Sequence, residues 1–387
     1  MLKRTRSFLV LVMLLMTVTM SAQVTTATMS GKVTAQDEPI IGATIVAIHE
    51  PSGTRYGTVT NVSGQFNLQG MRTGGPYKVE ISYVGYQTAI YKGINLLLGE
   101  NYVLNVSLKE SSELLDEVVV TASKESNMKS DRAGAIMNAN RDMISNTPTI
   151  SRSISDIMRL SPQGADVGNG FAVGGGNYRQ SFVTVDGAAF NNTFGLGGNL
   201  PANGSPISLD ALEQVTVAVT PFDVRQSGFT GGAINAVTRS GDNQFRGTAY
   251  MYFNNENLKG SKVDDYELLR SKAQYYTYGA SFGGPIIKDK LFFFVNGEYE
   301  DNVTAGSNYR PRTALGESYS GGNIHRPLQS DMDDMRGFLL NKYNFDPGKY
   351  NDYSTDTPAY RVMARVDWNA NQNNKVSFRF TKTHTKD

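Results

Sequence analysis

From Phe245 onward the chain alternates apolar and polar residues at a period of two in five segments, the repeat of a strand whose two faces meet different surroundings. The first sets Phe245, Ala249, Met251 and Phe253 against Arg246, Thr248, Tyr250 and Tyr252, and the second sets Tyr276, Tyr278, Ala280 and Phe282 against Tyr275, Thr277 and Ser281. In the third, Leu291, Phe293, Val295 and Tyr299 oppose Asn296, Glu298 and Glu300. The fourth is the cleanest, with Tyr360, Val362, Ala364, Val366 and Trp368 on one face and Arg361, Met363, Arg365, Asp367 and Asn369 on the other. The fifth sets Val376, Phe378 and Phe380 against Lys375, Ser377, Arg379 and Thr381. Each run has about the 9–11 residues a tilted strand needs to cross a bilayer. An antiparallel sheet lying on a soluble core would give the same alternation strand by strand. The connections favour the membrane: Pro285 to Lys290 and Ala370 to Asn374 are short and polar, whereas Asn254 to Lys272 and Asp301 to Pro358 are long. Strict short-long alternation belongs to outer-membrane barrels, with short turns on the periplasmic side and long loops outside.

The opposite terminus reads as a secretory signal over residues 1–22. Lys3, Arg4 and Arg6 form a basic start, Phe8 to Met20 an apolar run, and Met20-Ser21-Ala22 a small-residue cleavage site before Gln23. That run is shorter than the ~20 residues of a spanning helix, and no other apolar stretch is long enough, so any crossing must be made by strands. The 387 residues suggest two or three domains. The balance of 37 basic against 36 acidic residues argues against a nucleic-acid binder, and the absence of Cys rules out disulfides and thiolate chemistry. The 39 Gly and 20 Tyr suit tight turns and interfacial aromatics better than a helical enzyme.

Met29 to Leu108 reads as a small all-β domain, with candidate strands Gly31 to Thr34, Ala43 to Ile48, Gly57 to Thr60, Gln65 to Leu68, Tyr77 to Tyr83 and Tyr102 to Leu108 between Gly, Pro, Asn and Asp turns. That many short strands in one small domain predict a β-sandwich over residues 28–109. The stretches PIIGATIVAIHEPSGTRYGTVTNVSGQFNL and YKVEISYVGYQT resemble the carboxypeptidase regulatory-like domain. The name implies no peptidase: His49, His325 and His384 are the chain's three histidines and none stands in a zinc-peptidase spacing, so neither metal nor cofactor is expected.

A linker over residues 110–130 follows, containing Asp116, Glu117, Val118, Val119, Val120, Thr121 and Ala122. In isolation such a Val-rich segment reads as one more strand of the sandwich. Its place between two domains, ahead of the polar stretch Ser123 to Asp131, reads instead as part of a tether. DEVVVTA is similar to the TonB box, the motif by which the inner-membrane energy transducer engages outer-membrane receptors. The chemistry implied is β-augmentation, in which an extended β-branched strand offers its backbone N–H and C=O groups to a partner's sheet edge.

Residues 131–241 resemble, from Asn138 to Gly241, the plug domain of TonB-dependent receptors. In TISRSISDIMRLSP, Ile150, Ile154, Ile157 and Met158 fall at helical spacing, with Ser151 or Ser153 as N-cap and Pro162 beyond the end. SFVTVDGAAF reads as a strand and turn, and ISLDALEQVTVAVTPFD as a short helix capped by Ser208 followed by a strand aligning Val215, Val217 and Val219. Gly228, Gly231 and Gly232 allow close backbone approach, and Gly168 to Gly176 is another packing loop, lacking the ending of a phosphate loop. PFDVRQSGFTGGAINAVTRSGDNQFRGTAYMYF and FGGPIIKDKLFFFVNGEYE resemble the plug-to-barrel passage and first hairpin of Oar-like members of that family.

The expected fold is therefore mostly β: an N-terminal β-sandwich, an α+β plug domain, then the first five or so strands of an antiparallel transmembrane β-barrel over residues 242–387. The resemblance implies a TonB-dependent outer-membrane receptor for energised uptake. Its partners would be the TonB complex through Asp116 to Ala122, outer-membrane lipid and an extracellular ligand that the sequence does not identify, with the N-terminal domain in the periplasm. A surface adhesion or structural protein on the same scaffold is the alternative. An enzyme is not expected, since Asp333 and Asp334, or Asp264 and Asp265, lie in loop-like segments with no nucleophile-base constellation. Five strands are odd in number and below the about 8 of a bacterial single-chain barrel, and the chain ends in Lys386-Asp387 rather than on an aromatic residue. The sequence is accordingly expected to be a C-terminally truncated form whose unpaired edges aggregate or find other edges.

Overall fold

The computed structural model describes residues 24–110, 118–121, 135–149, 152–167, 170–191, 200–201, 204–219, 229–258, 260, 262–263, 266–267, 272–306, 309–319, 324–351, 353–371 and 374–386. The signal segment, Asp116, Glu117, Ala122, Ser123 to Asp131, Ile150, Ser151, Gly168, Gly228, Asp264 and Asp265 lie outside the described residues.

The N-terminal domain comprises β1 (Ala27–Ala35), β2 (Thr44–His49), β3 (Thr54–Val59), β4 (Gln65–Met71), β5 (Gly74–Ser82) and β6 (Ala89–Leu96). One sheet pairs β1 antiparallel with β4 and parallel with the short segments Asn101–Val103 and Val106–Ser107. The other runs β6-β5-β2-β3. Period-two burial, BiBiBe at the end of β5, turns Tyr77, Val79 and Ile81 inward against Met29, Ile45, Leu68, Met71 and Leu96, giving the core expected of a sandwich. Two expectations need correction. The candidate strand from Tyr102 to Leu108 is broken into two pieces, and β6 was not foreseen, because Gly93, at φ +79°, interrupts the alternation that would have announced it.

One buried group gives this domain a pH dependence. His49 is 4% exposed, its Nδ1 lies 2.7 Å from Ser52 Oγ, and its ring meets Tyr77 edge-on at 5.0 Å. Burial, assisted by the charge of Arg72, lowers its pKa from 6.5 to about 2. Between those values the unfolded chain carries a proton that the folded chain refuses, so stability falls as pH falls, by about 1.4 kcal/mol per pH unit below the unfolded value. His49→Gln should flatten the decline of the urea midpoint from about pH 7 to about pH 5; an unchanged slope would assign the decline to other groups.

After β7 (Val118–Thr121), a middle fold is built from β8 (Ile136–Ala139), α1 (Arg141–Asn146), α2 (Ile154–Met158), β9 (Phe182–Val185), β10 (Leu212–Ala218) and β11 (Ala233–Thr238). Its sheet runs β8-β10-β11-β9, with β9 parallel to β11 and the other named pairs antiparallel. Ser153 is the N-cap of α2, its backbone N–H donating to Asp156 Oδ2 at 3.3 Å, and Ile154, Ile157 and Met158 are wholly buried. Ser208 Oγ accepts from Asp210 N at 3.3 Å, and Val215 and Val217 are wholly buried as the spacing predicted. Gly232 is needed for space: a Cβ there would lie 2.5 Å from Val173 Cγ1.

The five alternating segments form β12 (Arg246–Asn255), β13 (Gln274–Ile287), β14 (Leu291–Ala305), β15 (Ala359–Asn369) and β16 (Lys375–Thr385), each beside the next in one sheet. This sheet is open among the described residues, with β12 and β16 as its edges. β13 and β14, at 14 and 15 residues, outrun the length that crosses a bilayer. The connection from Asp301 to Pro358 is not irregular throughout: it contains α3 (Gln329–Tyr343), which buries none of its residues and so left no apolar stripe in the sequence. The described chain falls into two compact units, one of residues 1–246, 282–295 and 363–380 and the other of 247–281, 296–362 and 381–387.

Candidate functional site

Val118–Thr121 is extended, as three consecutive Val residues favour, and its backbone pairs in parallel with β6 in the register Val118↔Ala89 to Thr121↔Lys92. It is thus the outer strand of the sheet β7-β6-β5-β2-β3, where position in the sequence had suggested a tether. The ladder is small. At most about four backbone hydrogen bonds, each net about 0.5–1.5 kcal/mol, stand against about 1–2 kcal/mol per residue for fixing the chain. These nearly cancel, so the pairing is reversible and its backbone groups can be handed to another sheet edge.

A second set of contacts ties the N-terminal domain to the middle fold. Gln214, on β10 and 3% exposed, donates from Nε2 to Leu96 O at 3.1 Å and accepts at Oε1 from Leu98 N at 2.8 Å. Asn138 Nδ2 donates to Glu100 Oε1 at 2.5 Å, and beyond the middle fold Asn243 N donates to Pro51 O at 2.9 Å. A cavity of about 570 Å³ nearby carries charges of both signs, Arg72, Arg141, Arg239 and Arg246 with Asp142, Glu213 and Asp242.

Asp186 anchors the middle fold to the strands. It occupies the Asp186-Gly187 turn after β9 at φ +51°, a conformation Asp tolerates better than most residues. Its carboxylate accepts from Thr238 N at 3.0 Å and Thr238 Oγ1 at 2.5 Å, and pairs with Arg379 Nη1 at 3.2 Å. Arg365 Nη1 donates to Thr238 O at 2.6 Å, while the rest of its guanidinium grips Asp367 at 2.8 and 3.0 Å. Phe294 and Met363, from β14 and β15, join Ile154, Ile157, Val217 and Ile234 in one apolar cluster. The sequence marked Arg365 and Arg379 only as members of a polar face and Asp186 only as a turn residue, and gave no sign of the bridging roles of Gln214 and Asp186, since their partners lie 118 and 52 residues away.

The strands invert the pattern of a soluble protein. On β15, Arg361, Met363 and Arg365 are buried while Val362 is 43% and Trp368 50% exposed. On β14, Asn296, Glu298 and Glu300 are buried and Val295 and Tyr299 exposed. Phe282, Phe378 and Phe380 are exposed as well. Inside, Arg361 bonds Glu298 Oε1 at 2.9 Å and Glu300 Oε2 at 2.6 Å, and Tyr250 Oη donates to Glu298 Oε2 at 2.5 Å. Charged groups inward and a row of large apolar groups outward suit a wall between a polar interior and lipid. Residues 237–387 match the family model of an outer membrane beta barrel domain, and residues 28–109 that of the carboxypeptidase regulatory-like domain. The chain is similar to TonB-dependent transporters and receptors. It is 27% identical over 242 residues to the TonB-dependent transporter Oar of Myxococcus xanthus, covering 61% of this chain and 21% of that protein. It is 29% identical over 269 residues to the TonB-dependent receptor SusC of Bacteroides thetaiotaomicron, covering 66% and 24%. The chain thus spans about a fifth to a quarter of the length of these curated relatives. The crystal structure of the siderophore receptor PirA from Acinetobacter baumannii is similar over 65% of this chain and 31% of that one, at 16% identity and a TM-score of 0.43. The match over residues 237–387 assigns the protein to the outer membrane.

Proposed function

We propose that the protein serves energised uptake of a ligand across the outer membrane, with β12 to β16 as part of the barrel wall, the middle fold as the plug inside it and Asp116 to Ala122 as the TonB box. What carries this reading is the inverted burial of β14 and β15, because a wall with Arg361, Glu298 and Glu300 on its inner face has a polar interior to fill or to open. The edges of β12 and β16 cannot face hydrocarbon unpaired, so a closed wall needs further strands beside them. The sandwich sits in the periplasm, where an inner-membrane partner can reach the box. Pulling on the box shifts or partly unfolds the plug and opens a path, with the work supplied by the inner membrane, since a short ladder contributes little by itself. Deleting Asp116 to Ala122 should abolish capture of the chain by a purified periplasmic domain of TonB. Undiminished capture would refute the assignment of the box.

A further inference from the structure

Strand β6 is held in two ways. Along one edge it carries Val118–Thr121 in a four-residue parallel register, and its last residue Leu96, with Leu98 just beyond, is clasped through the backbone by the buried amide of Gln214 from the middle fold. The other edge of β6 is taken by β5. The N-terminal domain therefore presents a sheet edge, fixed in place by the middle fold, and that edge is occupied by the chain's own Val-rich segment.

We propose that this edge of β6 is the resting dock of the partner-binding segment, and that a sheet edge of the energy transducer competes with β6 for it. The proposal rests on reading Asp116 to Ala122 as that segment. The N-terminal domain then sets how readily the segment is available. Competition follows from the backbone. Successive residues of a strand direct their N–H and C=O groups to alternate sides, so a strand lying on β6 has half of these groups committed to it, and a partner that pairs through that same half must displace β6. A partner pairing along all seven residues from Asp116 to Ala122 replaces a four-residue ladder with a longer one. Docking on β6 then keeps the segment extended and out of wrong pairings without holding it too tightly to be taken.

The chain has no Cys, so an introduced pair can be followed alone. Thr121 and Lys92 are in register, Lys92 is exposed, and neighbouring positions on paired strands lie within about the 4.4–6.8 Å Cα separation that a disulfide spans. In the full chain carrying Thr121→Cys and Lys92→Cys, a diffusible oxidant should close the bond in the absence of any partner, at least tenfold faster than in the out-of-register pair Val119→Cys with Lys92→Cys. The oxidised form should bind a purified TonB periplasmic domain at least tenfold more weakly than the same variant after reduction. Equal closure rates for the two pairs, or equal binding by oxidised and reduced forms, would overturn the dock. The assignment of the box is tested apart from this by the deletion of Asp116 to Ala122: if the deletion abolishes binding while the pair fails to close, the box stands and the dock falls. If the deletion leaves binding unchanged, both fall.

Discussion

Replacing Arg361 by Leu should destabilise the strand assembly by about 3–5 kcal/mol, although it puts an apolar residue at a position that is only 2% exposed. The change removes the cation shared by Glu298 Oε1 at 2.9 Å and Glu300 Oε2 at 2.6 Å. Two buried carboxylates on the same face of β14 would then lose the cation they share, which favours taking up a proton or admitting water. Arg361→Lys keeps one charge but cannot reach both carboxylates with a planar fork, so it should fall between wild type and Leu. Adding Glu298→Gln and Glu300→Gln to the Leu variant should restore part of the loss, because the cost lies in the carboxylates left behind. Urea titration of the full chain in detergent micelles, followed by tryptophan emission, reads all four proteins. An Arg361→Leu variant as stable as wild type would mean that the cluster faces water.

One residue further along, the opposite substitution should fail for the opposite reason. Val362 is 43% exposed, and in a soluble sheet Val362→Arg would change stability by less than about 0.5 kcal/mol. If that face meets lipid, the cost should be up to about 2–4 kcal/mol near the bilayer midplane, decreasing to about 0–1 towards either interface. The same gradient should appear along the strand, so Trp368→Arg, close to the Ala370 to Asn374 turn, should cost less than Val362→Arg. Both are measured by urea titration in phosphatidylcholine bilayers. A flat, near-zero response at the two positions would show that the apolar faces of β15 are not against hydrocarbon.

The parts of this fold that were legible in the sequence are those set by local periodicity. The polar set Arg361, Arg365 and Asp367 could be separated from Val362 and Trp368 by counting in twos, whichever side proved to be inside, and the short-long rhythm of the connections decided which side that was. Turn chemistry was equally local: Asp186-Gly187 announces its turn through residues that accept positive φ. What escaped had no local cause. β6 hides behind Gly93, and α3 has no buried stripe to reveal it. Gln214 reads as an ordinary polar position in a strand until its amide is seen between Leu96 and Leu98, and Asp186 as a turn residue until Thr238 and Arg379 close around it. For Val118–Thr121, β-branching fixed the extended conformation, but whether it ran free or lay on β6 depended on a marginal four-residue ladder that no window of sequence contains. The pairing bears on where the segment rests, while its partner is a separate matter for the deletion.

The central claim, that apolar faces of these strands point to lipid and polar faces inward, can be read from a single native reporter. Trp368 is the chain's one tryptophan, lies on the outward face of β15 and is 50% exposed. With the full chain inserted in vesicles of brominated phosphatidylcholine, its emission should be strongly quenched, most by bromines placed near the headgroups, as for an aromatic residue at the membrane interface, and little affected by aqueous iodide. Emission quenched by iodide but unchanged by brominated lipid would contradict the membrane wall and leave β12 to β16 as an ordinary sheet in water.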